Sequence, residues 1–142
     1  MNLGTLWRSA YQLGAAGIFV IGQRYRGQAS DTLKTYRHVP MRQYQNFEEF
    51  QIGRPHNAIL IGVEMGGKPL QTFKHPSRAV YLLGAEDNGL PTVVRDKCKS
   101  IVSIESVGTV SYNVAVAGSL IMYDRVVRGQ KEMMGDGNDQ TD

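Results

Sequence analysis

From Val114 to Tyr123 the chain reads V-A-V-A-G-S-L-I-M-Y, a run with no charge and no proline. Wound as a helix it is apolar or small on every side, so it predicts a helix buried in protein all round. It is too short to span a bilayer, which takes about 20 helical residues. Gly108, Thr109, Ser111 and Asn113 lie just ahead of it. They form a polar, flexible lead-in suited to cap the helix and to turn backbone N–H groups toward a ligand. Ala115, Ala117, Gly118 and Ser119 hold no neighbour away, so another backbone can pass close by. A buried helix therefore starts inside a candidate site.

The rest of the chain supplies sheet and helices in alternation. Gly17–Ile21, Ala58–Val63 and Ala79–Leu83 are short apolar runs bounded by glycines or polar loops, the pattern of buried parallel strands. Ser100–Ile104 reads as a further strand and Val39–Tyr44 as a weaker one despite Pro40. Leu3, Leu6, Trp7, Ala10 and Leu13 recur at helical spacing behind Asn2, a good N-cap, and Gly14 ends the pattern. Short helices are predicted at 46–51, before Gly53, and at Thr92–Lys97. The repeated β-loop-α order implies an α/β class, with an open, mostly parallel sheet flanked by helices. A chain of 142 residues suits one domain, expected over 1–128. Residues 129–142 lack apolar periodicity and end acidic, which predicts a mobile tail.

Several chemistries fall away. One cysteine, Cys98, excludes an intramolecular disulfide framework, and its place just ahead of a strand suggests packing. His38, His56 and His75 show no ligand spacing with it, so no metal is expected and each is read as a surface or loop residue. The loop L-G-A-E-D-N-G-L-P (83–91) has neither a dinucleotide fingerprint nor a P-loop ending. The beginning M-N-L-G-T-L-W-R is unlike a signal peptide, and a cytoplasmic protein is expected. The charge is uneven: residues 1–54 hold seven Lys/Arg against three Asp/Glu, although the whole chain is only +3. Arg24, Arg26, Lys34, Arg37 and Arg42 interleave there with Tyr25 and Tyr36, a mixture suited to nucleic-acid backbone and base stacking. Ligands of open parallel sheets bind beyond the strands' carboxyl ends, so the loops after Val63, Leu83 and Ile104 are the expected site.

Three segments in order, N-L-G-T-L-W-R (2–8), L-L-G-A-E-D-N-G-L (82–90) and I-E-S-V-G-T-V-S-Y-N-V-A-V-A (104–117), resemble the three motifs of TrmH-like SPOUT RNA methyltransferases. The resemblance implies an α/β sheet with a C-terminal trefoil knot. It also implies a homodimer that binds S-adenosyl-L-methionine in the knot and transfers its methyl group to a ribose 2′-hydroxyl of tRNA or rRNA. Carried over residue by residue, it places Gly62, Val63, Leu83, Gly84, Glu86, Gly89, Ile104, Val110, Ser111 and Asn113 at the cofactor. Arg8 corresponds to the family's catalytic arginine, supplied by the partner chain, with Asn2, Glu86, Ser111 and Asn113 as its polar surroundings. With no appended RNA-binding domain in view, residues 24–42 are expected to provide much of the RNA contact.

The chain departs from the family pattern at three points. Tyr112 stands where S-L-N is usual, Glu105 replaces a common proline, and Met1 directly precedes Asn2 where relatives carry a strand. Two alternatives stay open: a non-catalytic SPOUT-like RNA-binding protein, and methylation of a base nitrogen.

Overall fold

The computed structural model describes residues 3–22, 38–84 and 88–135, with side chains as far as residue 130. Helix α1, Leu3–Gln12, buries Leu3, Trp7 and Ala10 along one face. The indole nitrogen of Trp7 donates to the Val39 carbonyl at 2.8 Å, so the buried ring is anchored as well as packed. Gly14, at φ +73°, turns the chain out of the helix. Strand β1, Ile18–Ile21, pairs in parallel with β2, Met41–Tyr44, with Ile18 opposite Met41. Helix α2, Phe47–Gly53, opens with a reciprocal cap. Asn46 accepts from the Glu49 N–H at 2.8 Å and Glu49 accepts from the Gln45 N–H at 2.6 Å.

A second parallel sheet has the order β4-β3-β5, where β3 is Ile59–Pro69, β4 Ala79–Leu83 and β5 Ser100–Ser103. A 3₁₀ turn, Leu70–Thr72, follows β3, and helix α3, Thr92–Lys97, precedes β5. Neighbouring residues of β3 point to opposite faces. Ile61 joins Leu70, Phe73, Val102 and Ile121 on one face, whereas Leu60 joins Phe50, Leu82 and Leu90 on the other. Apolar layers on both faces explain why these strands read as continuous apolar runs. Phe19 and Ile21 of β1 and Tyr44 of β2 pack on the Leu60 face, so the core spans both sheets.

The structure corrects three expectations. No loop follows Val63: β3 runs on to Pro69, and both Val63 and Lys68 sit opposite Val102. Residues 64–67 are the extra length, a bulge in which Gly66 takes φ +86°. Helix α4, Val114–Gly135, is also longer than the uncharged run and crosses the boundary set at residue 128. Gly129 alone is a weak breaker, and Gln130, Lys131, Glu132 and Met133 behind it are good helix formers. Residues 136–142 lie outside the described residues.

Nor is α4 buried all round. Val114, Ala115, Ala117 and Ile121 are buried, but Val116, Leu120, Tyr123 and Val127 are 46%, 37%, 58% and 40% exposed. Their spacing of four, three and four makes one apolar stripe facing away from the core. On the covered side the small residues act as expected. A Cβ at Gly118 would stand 2.5 Å from a Leu6 methyl, and the hydroxyls of Ser9 and Ser119 lie 2.8 Å apart, so α1 and α4 cross closely.

Candidate functional site

The carboxyl ends of β3 and β5 enclose a cleft of about 240 Å³. Met65, Gly66 and Gly67 of the bulge and Pro69 at the end of β3 form one wall; Ser103, Ile104, Glu105 and Ser106 continue it from β5. Gly108, Val110, Ser111 and Tyr112 close the opposite side. Apolar walls with a few polar groups and three glycines are the usual make-up of a small-molecule site. No side chain projects from Gly66, whose Cβ position has nothing within 4 Å, or from Gly108, which faces only the Ser106 hydroxyl at 4.0 Å.

Of the expected cofactor residues, Ile104, Val110 and Ser111 line this cleft. Ser111 reaches across it, its hydroxyl 3.4 Å from the Met65 sulfur. Asn113 caps α4, its side-chain oxygen accepting from the Ala115 N–H at 2.9 Å and the Val116 N–H at 3.4 Å. Gly62 lies inside β3, buried, where a Cβ would stand 2.6 Å from an Ile101 methyl and 2.8 Å from a Leu90 methyl. It therefore serves close packing within the sheet. Val63 packs on the same face as Ile61. The bulge glycines are absent from the residues expected at the site, although a Gly-Gly pair inside a strand pattern is the signal of such a bulge.

The segment after β4 is organised by its own backbone. A Cβ on Gly84 would run into the backbone of Gly89 and the Leu90 nitrogen, and Gly89 sits at φ +65° with the Glu64 carboxylate against it. Glu64, which no sequence pattern singles out, accepts from the Leu90 N–H at 3.2 Å and pairs with Arg95 at 2.7 Å. One carboxylate on the β3 bulge thus holds both Leu90 and α3. Leu83, half-buried, approaches Gly118 of α4. Glu86 and Asn2 lie outside the described residues, as do Arg24, Arg26, Lys34 and Arg37. Arg42 is exposed on β2 and Arg8 is exposed on α1, and neither lines the cleft.

His75 lies in the loop ahead of β4, one of the two places expected of it, but its side chain is largely covered. Its ring stands between the Tyr81 hydroxyl at 2.6 Å and Asp124 at 2.7 Å, and its side chain is only 9% exposed. Burial lowers its pKa against the pull of Asp124, and burial raises that of Tyr81. Around it Arg125 donates to the Pro76 and Ser77 carbonyls, and Arg128 to Asp124 and the Leu70 carbonyl. These bonds fasten α4 to the 70–81 segment. Cys98 packs against Gly62 and its thiol pKa is raised by burial, in keeping with a packing role. Among the described residues no three His, Cys, Asp or Glu side chains come together to hold a metal, and no helix is long and apolar enough to cross a membrane.

Parallel strands whose carboxyl ends open on a glycine-rich cleft define an α/β protein with a candidate small-molecule site at the strand ends. Residues 1–123 match the model of the SpoU rRNA methylase family, and the chain belongs to that family. It is similar to the SpoU methyltransferase AviRb from Streptomyces viridochromogenes, solved in complex with the cofactor AdoMet. The identity is 26% and the TM-score 0.79, over 92% of this chain and 56% of that one. A structure solved for insight into the 2-OH methylation of C/U34 on tRNA matches at 26% identity and TM-score 0.76, over 90% of this chain and 89% of that one. The 23S rRNA (guanosine-2'-O-)-methyltransferase RlmB of Salmonella typhi is 28% identical over 133 residues, 88% of this chain and 54% of that protein. The chain spans about half the length of the curated relatives it matches.

Proposed function

We propose that this chain binds S-adenosyl-L-methionine in the cleft at the ends of β3 and β5 and directs its methyl group to a ribose 2′-hydroxyl of tRNA or rRNA. The observation that carries the reading is the cleft itself. Ile104, Glu105, Ser106, Gly108, Val110, Ser111 and Tyr112, from the segment resembling the third family motif, line it together with the glycine-bearing bulge. The residues fit such a donor. Met65, Ile104 and Val110 offer apolar contact to a heteroaromatic ring, and Gly66 and Gly108 leave the backbone accessible. When bound, the donor supplies an electrophilic methyl group on a sulfonium.

The chain's own residues then have to orient the ribose and stabilise the oxygen as it loses its proton. Arginine is effectively always protonated, so Arg8 acts as a donor to the developing alkoxide or to the neighbouring phosphate, rather than as a base. Because Arg8 is exposed on α1 and does not line this chain's cleft, the arginine acts in the cleft of a second copy. The apolar stripe Val116, Leu120, Tyr123 and Val127, with Tyr11 of α1 48% exposed, supports a homodimer through α1 and α4. The cleft of one chain is also below the roughly 300–1,000 Å³ of ordinary ligand sites, which suits completion by a partner. The trefoil knot belongs to the same proposal, as do RNA contacts from Arg24, Arg26, Lys34, Arg37 and Arg42. The likeness to proteins named for 2′-O-methylation favours the ribose over a base nitrogen.

Labelled-methyl transfer to total RNA, followed by nucleoside analysis, tests this directly. The expected product is a 2′-O-methylated nucleoside. A methylated base would move the chemistry to a ring nitrogen, and RNA binding without transfer would make the protein a non-catalytic binder.

A further inference from the structure

Tyr112 and Glu105, two positions at which this chain departs from the family pattern, are joined to each other in the fold. The Tyr112 hydroxyl donates to the Glu105 backbone carbonyl at 2.6 Å, which draws together the two ends of the segment between them. The Glu105 carboxylate in turn accepts the Gln71 N–H at 3.0 Å and ties that closed segment to the 3₁₀ turn after β3. Between these ends the segment has no regular secondary structure, and Val107 and Val110 are exposed, so no core of its own holds it in shape. Inside it, the Ser106 hydroxyl bonds the Gly108 carbonyl at 3.2 Å. A loop of this kind keeps one conformation only if its ends are fixed, because closing it costs chain entropy.

A proline at 105 would restrict φ and stiffen the segment from within. Glutamate gives no such restraint, and a leucine at 112 would offer no hydroxyl. In this chain two side-chain hydrogen bonds take the place of the missing ring. We propose that Tyr112 and Glu105 form a clasp that preorganises residues 105–112 as a wall of the cleft, so that both act as positioning residues for the methyl donor. This rests on the reading of the cleft given above. A wall held in place before binding spares the ligand the entropy of ordering it.

The test measures S-adenosylhomocysteine affinity by calorimetry in the parent protein and in Tyr112→Phe, Glu105→Ala, Glu105→Gln and the Tyr112→Phe/Glu105→Ala double variant. Tyr112→Phe and Glu105→Ala should each weaken binding by about twofold to tenfold, the loss of one hydrogen bond. Glu105→Gln should recover most of the affinity, because its amide oxygen still accepts the Gln71 N–H. In the double variant the combined loss should be less than the product of the two single losses, since opening either end already frees the segment. In turnover assays the KM for the donor should rise by a larger factor than kcat falls. Parent affinity in Tyr112→Phe, or a Glu105→Gln protein as weak as Glu105→Ala, would overturn the clasp. If the parent protein itself binds no S-adenosylhomocysteine, the reading of the cleft fails instead. Amide exchange across 106–111 then judges the clasp, which stands if exchange is faster in Tyr112→Phe and falls if it is unchanged.

Discussion

The two strand-end segments of this protein keep their shape by opposite means. Gly84, Gly89 and Leu90 are held by side chains that are missing: Gly84 lets the backbone of Gly89 and Leu90 lie against it, and Glu64 tethers Leu90 from β3. Residues 105–112 are held by side chains that are present, with Tyr112, Glu105 and Ser111 bonding to three different places. The first arrangement has no spare volume and fails when atoms are added. The second has room and fails when hydrogen-bonding groups are removed.

The largest effect expected separates both segments from the chemistry. If they bind the donor while Arg8 serves the reacting oxygen, Arg8→Ala should leave S-adenosylhomocysteine affinity nearly intact. Turnover should meanwhile fall about a hundredfold to a thousandfold. Arg8→Lys should rescue only part of it, having lost the planar fork. Transfer at the parent rate in Arg8→Ala would leave Arg8 as no more than a solvated charge on α1.

Next comes the volume argument. Gly84→Val or Gly89→Val should weaken donor binding by about tenfold to a hundredfold, an overpacking cost of about 1–3 kcal/mol. Since the clash is with the segment's own backbone and with Glu64, the melting temperature should drop as well. Weakened binding with an unchanged melting temperature would mean that the glycines make room for the ligand alone.

A smaller loss is expected at the tether. Glu64→Ala removes the acceptor of the Leu90 N–H and the partner of a largely exposed Arg95, so about 0.5–1.5 kcal/mol is at stake and the ion pair adds little to it. Amide exchange at Leu90 should accelerate, and Glu64→Gln should restore protection. No change at Leu90 would show that the glycine backbone holds the segment unaided.

The smallest effect is the control for the contrast. Gly108 meets only the Ser106 hydroxyl at the limit of contact, and its φ is not positive, so Gly108→Ala should change stability by no more than about 0.5 kcal/mol. A loss at Gly108 as large as that at Gly84 would erase the distinction between the two segments.

What the sequence determined by itself is what depends on near neighbours. The helical spacing of Leu3, Trp7 and Ala10, the Asn46 cap, and the apolar runs at β1, β3, β4 and β5 follow from local periodicity and turn chemistry. So does the grouping of Ile104, Val110 and Ser111 just beyond the carboxyl end of β5, where they line the cleft. Other features were decided by residues far apart in the chain. β3 outruns Val63 because Val102 supplies a partner on both sides of the bulge, and no pattern within 59–69 contains that strand. The uncharged run of α4 has an exposed side because α1 and the sheet cover only part of its circumference, and composition cannot say how many neighbours a helix will meet. His75 finds Asp124 across 49 residues and Glu105 finds Gln71 across 34. A hydrogen bond needs both groups within about 3 Å, and only the tertiary fold brings such distant residues that close.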